Sequence, residues 1–281
     1  MIFPFILVFL ISACKEPVGT SDNPVITVSI EPLKFFTSVI AGDKYDINVI
    51  VPAGASPATY EPPPSVIKGI SNSDLLIING YLGFEQAWIQ RILNIDADIE
   101  LLKLSDSQEL ISADSHRHGD IIHYTGVDPH FWLSPKRASL IAKDIRDFII
   151  EQDTENKDYY LRNYNILDSI IQEADRYISS SVKGKENLSF LIFHPSLTYF
   201  AEDYGFEQIP VEVEGKEPSP SELRELIDRG RMDSIKVIFV QREFDTKNAN
   251  LIGKEIGAKT IIIDPLSSDW FQSVMFITDN I

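Results

Sequence analysis

The chain has 281 residues, of which 44% are hydrophobic, and it carries a net charge of −17 at pH 7. A chain of this length can bury a core in one large domain or in two modest ones. The acidic balance argues against a nucleic-acid-binding protein, because phosphate binding needs a basic face. We therefore expect a globular protein that does not bind nucleic acid.

The N-terminal residues are typical of an exported protein. Residues 1–13 are mostly apolar but fall short of the roughly 20 residues that span a bilayer, so we interpret them as a signal peptide. Residues 11–14 (ISAC) resemble the bacterial lipobox, in which the cysteine, here Cys14, is lipidated and becomes the mature N-terminus. Residues 14–24 then form a flexible tether. The alternative is a plain cleaved signal peptide with an incidental cysteine.

Strand and helix patterns alternate from residue 25 onward. Predicted strands cover 25–30, 45–51, 74–78 and 99–104, with helices at 32–41, 65–71 and 84–93 and a loop rich in proline and glycine at 52–64. Short apolar strands that alternate with helices favour parallel βαβ units. We assign residues 25–152 to an N-terminal α/β lobe.

The same alternation returns after residue 184. Predicted strands cover 188–193, 206–211, 236–240 and 260–263, with helices near 195–204, 219–228 and 246–256. We assign residues 184–281 to a C-terminal α/β lobe.

A single long helix is predicted between the two lobes, within residues 153–183. Residues 157–182 contain no glycine or proline, and apolar side chains recur there at spacings of four and three: Tyr160, Tyr164, Leu167, Ile171, Ala174 and Ile178. This spacing marks one face of a continuous helix of about 40 Å. A coiled coil shows the same spacing, but this segment is short for one. The predicted fold class is therefore α/β, with two lobes that each hold a mainly parallel sheet flanked by helices, joined by one long rigid helix.

The histidines indicate a metal site. Four of the five histidines lie between His116 and His130, and the fifth, His194, ends an apolar run, as Asp264 ends another. In open α/β sheets, ligands bind in a crevice at the carboxyl ends of strands. Each of these residues alone could be a capping or turn residue. Together, however, His130 from the first lobe and His194 and Asp264 from the second offer the imidazole and carboxylate groups that divalent transition metals prefer.

Six short segments resemble the solute-binding lipoproteins of bacterial zinc and manganese ABC importers. They are 51–57 (VPAGASP), 60–65 (YEPPPS), 128–135 (DPHFWLSP), 193–205 (FHPSLTYFAEDYG), 217–223 (EPSPSEL) and 263–266 (IDPL). The resemblance implies two α/β lobes linked by a long helix, with the metal held between them. It also implies a monomer that is anchored through Cys14 on the periplasmic or cell-surface side of a bacterial membrane and delivers metal to a membrane permease.

The resemblance also implies a ligand set, from which one member is missing. His130, His194 and Asp264 match the family's second, third and fourth ligand positions, whereas the first, usually the histidine of Gly-x-x-Pro-His, is Ala58 here. Glu61, on the same loop, is our preferred replacement. The alternative is His123, or His118, from the histidine-rich segment 114–123, which is expected to be a mobile loop. Water could also fill the position.

Zinc is the expected metal and manganese is the alternative. Two imidazoles and a carboxylate suit zinc, and manganese binders of the family tend to place glutamate where His194 stands. Two other functions stay open: an adhesin-like lipoprotein whose metal site has decayed, as Ala58 allows, and a metallohydrolase, with Glu61 as the base. The sequence contains neither the H-E-x-x-H nor the G-x-S-x-G motif, so we predict that the protein is not an enzyme.

Overall fold

The first lobe is built on a sheet of four parallel strands. The structure, a computed structural model, describes residues 23–94, 99–112, 126–185, 188–212 and 216–281, and the backbone alone of 115–118 and 121–124. The strands are β1 (Val25–Val28), β2 (Asp46–Val49), β3 (Leu75–Ile78) and β4 (Glu100–Lys103), in the spatial order β2-β1-β3-β4. All the pairings are parallel, as the alternating sequence pattern predicted.

Four helices accompany this sheet: α1 (Glu31–Ala41), α2 (Pro64–Ile70), α3 (Gly83–Leu93) and α4 (Pro135–Gln152). Proline occupies one of the first two positions of α1, α2 and α4. A proline there lacks an N–H group that would have no intrahelical partner anyway, and its fixed φ suits a helix start. The sequence prediction gave no bounds for α4.

The histidine-rich segment forms a hairpin, so its prediction as a loop is wrong. Its backbone contains two antiparallel strands, β5 (Ser115–His118) and β6 (Ile121–Tyr124), with residue 116 opposite residue 123. The β-branched residues Ile121 and Ile122 and the aromatic residue Tyr124 favour strand conformation. The side chains of residues 113–125, including His116, His118 and His123, lie outside the described part of the structure.

The second lobe repeats the architecture of the first. Its strands are β7 (Ser189–Ile192), β8 (Glu207–Pro210), β9 (Val237–Gln241) and β10 (Lys259–Ile263), all parallel, in the order β10-β9-β7-β8. Its helices are α6 (Thr198–Tyr204), α7 (Pro220–Met232), α8 (Lys247–Ile256) and α9 (Trp270–Asp279). The fold class predicted from sequence is thus confirmed, although α9 had no predicted counterpart.

The long helix α5 (Lys157–Val182) has the bounds expected from the sequence. Five of the six residues of its predicted apolar face are fully buried, and Tyr164 is partly buried. The helix packs against α1 and α4 of the first lobe and against α9 of the second. None of the helices in the described part of the chain is both long and apolar enough to cross a membrane.

Two buried tryptophans join the lobes directly. The indole N–H of Trp132 donates to the carbonyl of Pro265 at 2.9 Å, and that of Trp270 donates to the carbonyl of Trp132 at 2.6 Å. The ring of Phe36, on α1, lies 5.2 Å from the Trp270 ring. Aromatic side chains dominate the energy of such contacts because each buries a large apolar area. The lobes are therefore held together by α5 and by packing beside the cleft.

Candidate metal site

A cavity of about 270 Å³ opens between the two lobes. Its walls come from loops that follow strands in both sheets, which is where open α/β sheets place their ligands. The first lobe supplies Ser56, Pro57, Ala58, Tyr81, Leu82, Gly83, Pro129, His130 and Trp132. The second lobe supplies His194, Ser196, Gln241, Glu243, Phe244, Pro265 and Leu266.

The two histidines predicted from sequence meet in this cavity. The ring centroids of His130 and His194 are 5.3 Å apart, with the ring planes at 73° to each other. Two imidazoles that bind one zinc ion at about 2.0–2.1 Å with tetrahedral angles have ring centroids about 5 Å apart. The spacing of this pair therefore suits a shared metal ion.

A carboxylate orients each imidazole. Nδ1 of His130 donates to Oδ1 of Asp128 at 2.8 Å, and Nδ1 of His194 donates to Oε1 of Glu212 at 2.6 Å. Both carboxylates are buried. A neutral histidine that donates through Nδ1 presents the lone pair of Nε2, and metal-binding histidines are commonly fixed in this way. Among the described residues, none hydrogen-bonds to Nε2 of either ring.

Contact with His130 favours the ionised form of the Asp128 carboxyl group. Burial alone would raise the pKa of Asp128, but electrostatic attraction to His130 and the hydrogen bonds that His130 donates outweigh burial and hold that pKa below its ordinary value. Asp128 is therefore an anion that accepts the imidazole proton.

Further contacts fix the position of His194. The side-chain amide of Gln241 donates to the carbonyl of His194 at 2.5 Å and to the hydroxyl of Ser196 at 2.8 Å, and its oxygen accepts from the His194 N–H at 3.2 Å. The ring of Phe244 stacks on the imidazole, with centroids 5.6 Å apart. The chain between β9 and α8 is thereby held against His194.

A buried glutamate supports the first-lobe side of the cavity. The carboxylate of Glu85 accepts the N–H groups of Asn79 at 2.9 Å, Gly80 at 2.6 Å and Leu82 at 3.1 Å, and the hydroxyl of Ser29. The side-chain amide of Asn79 in turn donates to the carbonyl of Pro129 at 2.8 Å, next to His130. The turn after β3 and the segment that carries His130 are therefore connected.

Asp264 lies beside the cavity but its carboxylate faces another group. Its Oδ2 accepts from Nη1 of Arg242 at 2.8 Å, and its Oδ1 accepts from the N–H of Leu266 at 3.2 Å. Asp264 lines a neighbouring depression together with Arg242, whereas Leu266 lines both. The structure thus places the third predicted ligand next to the histidine pair without bringing it into contact.

Ala58 occupies the wall of the cavity, where the family pattern has its first imidazole. The N–H of Phe84 donates to the carbonyl of Pro57 at 3.0 Å, and a Cβ on Gly83 would lie 2.3 Å from the carbonyl oxygen of Ala58. This close packing holds the loop in place. Glu61 is exposed and is absent from the described residues that line the cavity. Its role as a ligand stays a prediction, as does that of His123.

The sequence prediction did not single out two carboxylates of the second lobe. Glu212 follows β8 by two residues, and Glu243 follows β9 by two residues. The rule that ligands gather at the carboxyl ends of parallel strands could have identified both. Partial desolvation at the cavity wall raises the pKa of Glu243 most, a hydrogen bond from its own backbone N–H lowers it, and the charge of Asp264 raises it. His194 and His130 lower this pKa, so both histidines and Asp264 lie within electrostatic reach of Glu243.

The structure gathers two of the three predicted ligands. In the described part of the chain, no three His, Cys, Asp or Glu side chains are already gathered as a metal-binding group. The histidine pair is in place, and a carboxylate must turn toward it to complete a coordination shell.

Comparison with known proteins gives a family for this architecture. The model of the zinc-uptake complex component A (ZnuA) family, described as periplasmic, matches residues 26–280. The chain is 28% identical to the high-affinity zinc uptake system protein ZnuA of Bacillus subtilis, over 92% of this chain and 85% of that protein. It is 27% identical to the manganese-binding lipoprotein MntA of Halalkalibacterium halodurans, over 92% of this chain and 87% of that protein.

A solved structure shares this fold over nearly the whole length of both chains. A crystal structure of ZnuA superposes with a TM-score of 0.83 and 32% sequence identity, covering 92% of this chain and 97% of the other.

Proposed function

The chain belongs to the family of periplasmic zinc-uptake complex component A proteins, and we therefore propose that it is the extracytoplasmic metal-binding component of an ABC importer. In this role it captures a zinc ion between its lobes and delivers it to a permease in the membrane. Membership of this family supports a transport role over the adhesin-like and metallohydrolase alternatives, and it supports the prediction that the protein is not an enzyme.

The observation that carries this proposal is the pairing of His130 and His194. Each comes from a different lobe, their centroids lie 5.3 Å apart, and a buried carboxylate orients each ring. In the proposed site both bind the metal through Nε2, and Asp264 supplies a carboxylate oxygen.

To bind the metal, the carboxylate of Asp264 must break its ion pair with Arg242. The side chain of Arg242 is 60% exposed and that of Asp264 is 32% exposed. An exposed ion pair contributes only about 0–1 kcal/mol, so a divalent cation can compete with Arg242 for this carboxylate.

Zinc is the proposed cargo, and manganese is the alternative. Imidazole nitrogen suits zinc, whereas each carboxylate in the set makes the site more tolerant of manganese. Relatives of both kinds exist, since the B. subtilis protein is named for zinc uptake and the H. halodurans lipoprotein for manganese binding.

Lipidation of Cys14 would tether the protein, as a monomer, to the periplasmic or cell-surface side of a bacterial membrane, where it would deliver metal to its permease. A relative named as a lipoprotein supports this anchoring. Cys14 and the proposed tether lie outside the described residues.

Zinc affinity of the purified protein tests the proposal. We expect one zinc ion per chain, with His194→Ala weakening the affinity at least a hundredfold because one of two imidazoles is lost. His116→Ala, on the hairpin, serves as the matched control and should keep the affinity of the unaltered protein. Competition with a chromogenic chelator gives the affinities. If His194→Ala binds zinc as tightly as the unaltered protein, the proposed site is wrong.

A further inference from the structure

The proposed site lacks one ligand, and its walls contain a side chain that could supply it. With Ala58 in place of an imidazole, His130, His194 and Asp264 offer three ligands, whereas a closed zinc site has four. A fourth protein ligand would have to reach the space beside the two histidines. Among the described residues lining the cavity, Glu243 is the one that carries a carboxylate.

The position of Glu243 is set by its neighbours. It follows β9, whose end is paired with β7 and β10, and the N–H of Phe244 donates to the carbonyl of Gln241 at 3.0 Å to form the turn. Phe244 stacks on the imidazole of His194. The backbone of Glu243 is therefore held next to one of the two histidines, in the cavity that Ala58 lines from the other lobe.

The side chain of Glu243 is able to turn. The residue is exposed at the mouth of the cavity, and in the described part of the chain no lysine, arginine or histidine forms a salt bridge with it. Asp264, by contrast, is paired with Arg242, and Asp128 and Glu212 are committed to the histidine rings. Glu243 is thus the acidic group of the site that no cation holds.

Glu61 has a weaker position. It is three residues beyond Ala58 on the same loop, but it is exposed and does not line the cavity in the described structure. Proximity in sequence favoured it, whereas proximity in space favours Glu243.

We propose that Glu243 is the ligand that takes the place of the imidazole missing at Ala58. The inference rests on the proposed metal-binding function and gives it a complete shell of two imidazoles and two carboxylates. Because oxygen ligands suit manganese better than a third imidazole would, the site discriminates less strongly between zinc and manganese than a three-histidine site.

Zinc and manganese affinities of two glutamate variants test this assignment. Glu243→Ala should weaken zinc binding by at least ~10–100-fold, because the loss of an outer-shell partner alone already weakens a metal site by that factor. Glu61→Ala removes the same group from the adjacent loop and is the matched control, with affinity expected to be unchanged. Thermal unfolding of the metal-free proteins should be the same for both variants, since both residues are exposed to solvent.

A rescue variant tests the geometry. Combining Ala58→His with Glu243→Ala restores a fourth ligand from the opposite wall, so zinc affinity should return and manganese affinity should stay low. Failure of this rescue, or zinc binding by Glu243→Ala equal to that of the unaltered protein, would overturn the assignment.

The His194→Ala variant separates this inference from the proposed function. If His194→Ala loses zinc while Glu243→Ala keeps it, the importer site stands and the role of Glu243 is wrong. If both variants keep zinc, the metal lies elsewhere and the proposed function itself fails.

Discussion

Each imidazole of the site is paired with a buried acid, and this pairing suits both histidines to the proposed role of metal ligand. A histidine that donates Nδ1–H to a carboxylate has one tautomer, a fixed ring orientation and a more basic Nε2. His194 has the shorter of the two bonds, 2.6 Å to Glu212, and the larger exposed fraction, 32%. Its orientation therefore depends strongly on this contact.

Replacing Glu212 by glutamine should weaken zinc binding by about 10–100-fold without removing a ligand. The amide keeps the shape of the side chain but accepts the imidazole proton less strongly, so the ring is less well held. Glu207→Gln, an exposed change on the preceding strand β8, is the matched control and should leave zinc affinity unaltered. Equal affinities in the two variants would show that the carboxylate does not tune His194.

The sequence identified the histidines and missed the acids for a physical reason. The chain has five histidines but 42 aspartates and glutamates. A histidine after an apolar strand is therefore informative by itself, whereas an acid at such a place is ordinary. Glu212 and Glu243 become distinctive only because β8 and β9 both neighbour β7 in the sheet, and strand order is a property of the fold.

The helices differ in how clearly the sequence specifies them. The apolar face of α5 follows a regular spacing, so its bounds were predicted correctly. By contrast, six of the ten residues of α9 are apolar, and such a short, mostly apolar run does not distinguish helix from strand. Ala58 shows a different limit of sequence-based prediction. The sequence shows that an imidazole is missing at this position, but it does not show which distant residue lies near the same place in the fold.

The helix α5 should keep the lobes at a fixed separation when metal binds. It has no glycine or proline, it is buried along one face, and it contacts helices of both lobes. Hinge closure needs a few residues that absorb large changes in φ and ψ, which such a helix does not offer.

Small-angle X-ray scattering with and without zinc measures this rigidity. We expect the radius of gyration to be the same in both states, because binding turns side chains and loops rather than lobes. A decrease of several per cent on zinc binding, as in a protein that closes about a hinge, would contradict this expectation.

The two lobes together create a site that neither contains alone. The carboxyl ends of both parallel sheets are followed by loops that line one cavity. Trp132, which also lines this cavity, accepts a hydrogen bond from Trp270 of the second lobe. One imidazole comes from each side of the cleft. The two lobes therefore contribute one histidine each to the cavity in which we propose that the metal is captured.

Anomalous diffraction at the zinc absorption edge locates the metal directly in crystals of the protein loaded with one equivalent of zinc. We predict one dominant peak between His130 and His194, about 2.0–2.1 Å from Nε2 of each, with carboxylate oxygens completing the shell. A dominant peak on the histidine-rich hairpin, with no density between His130 and His194, would contradict the account.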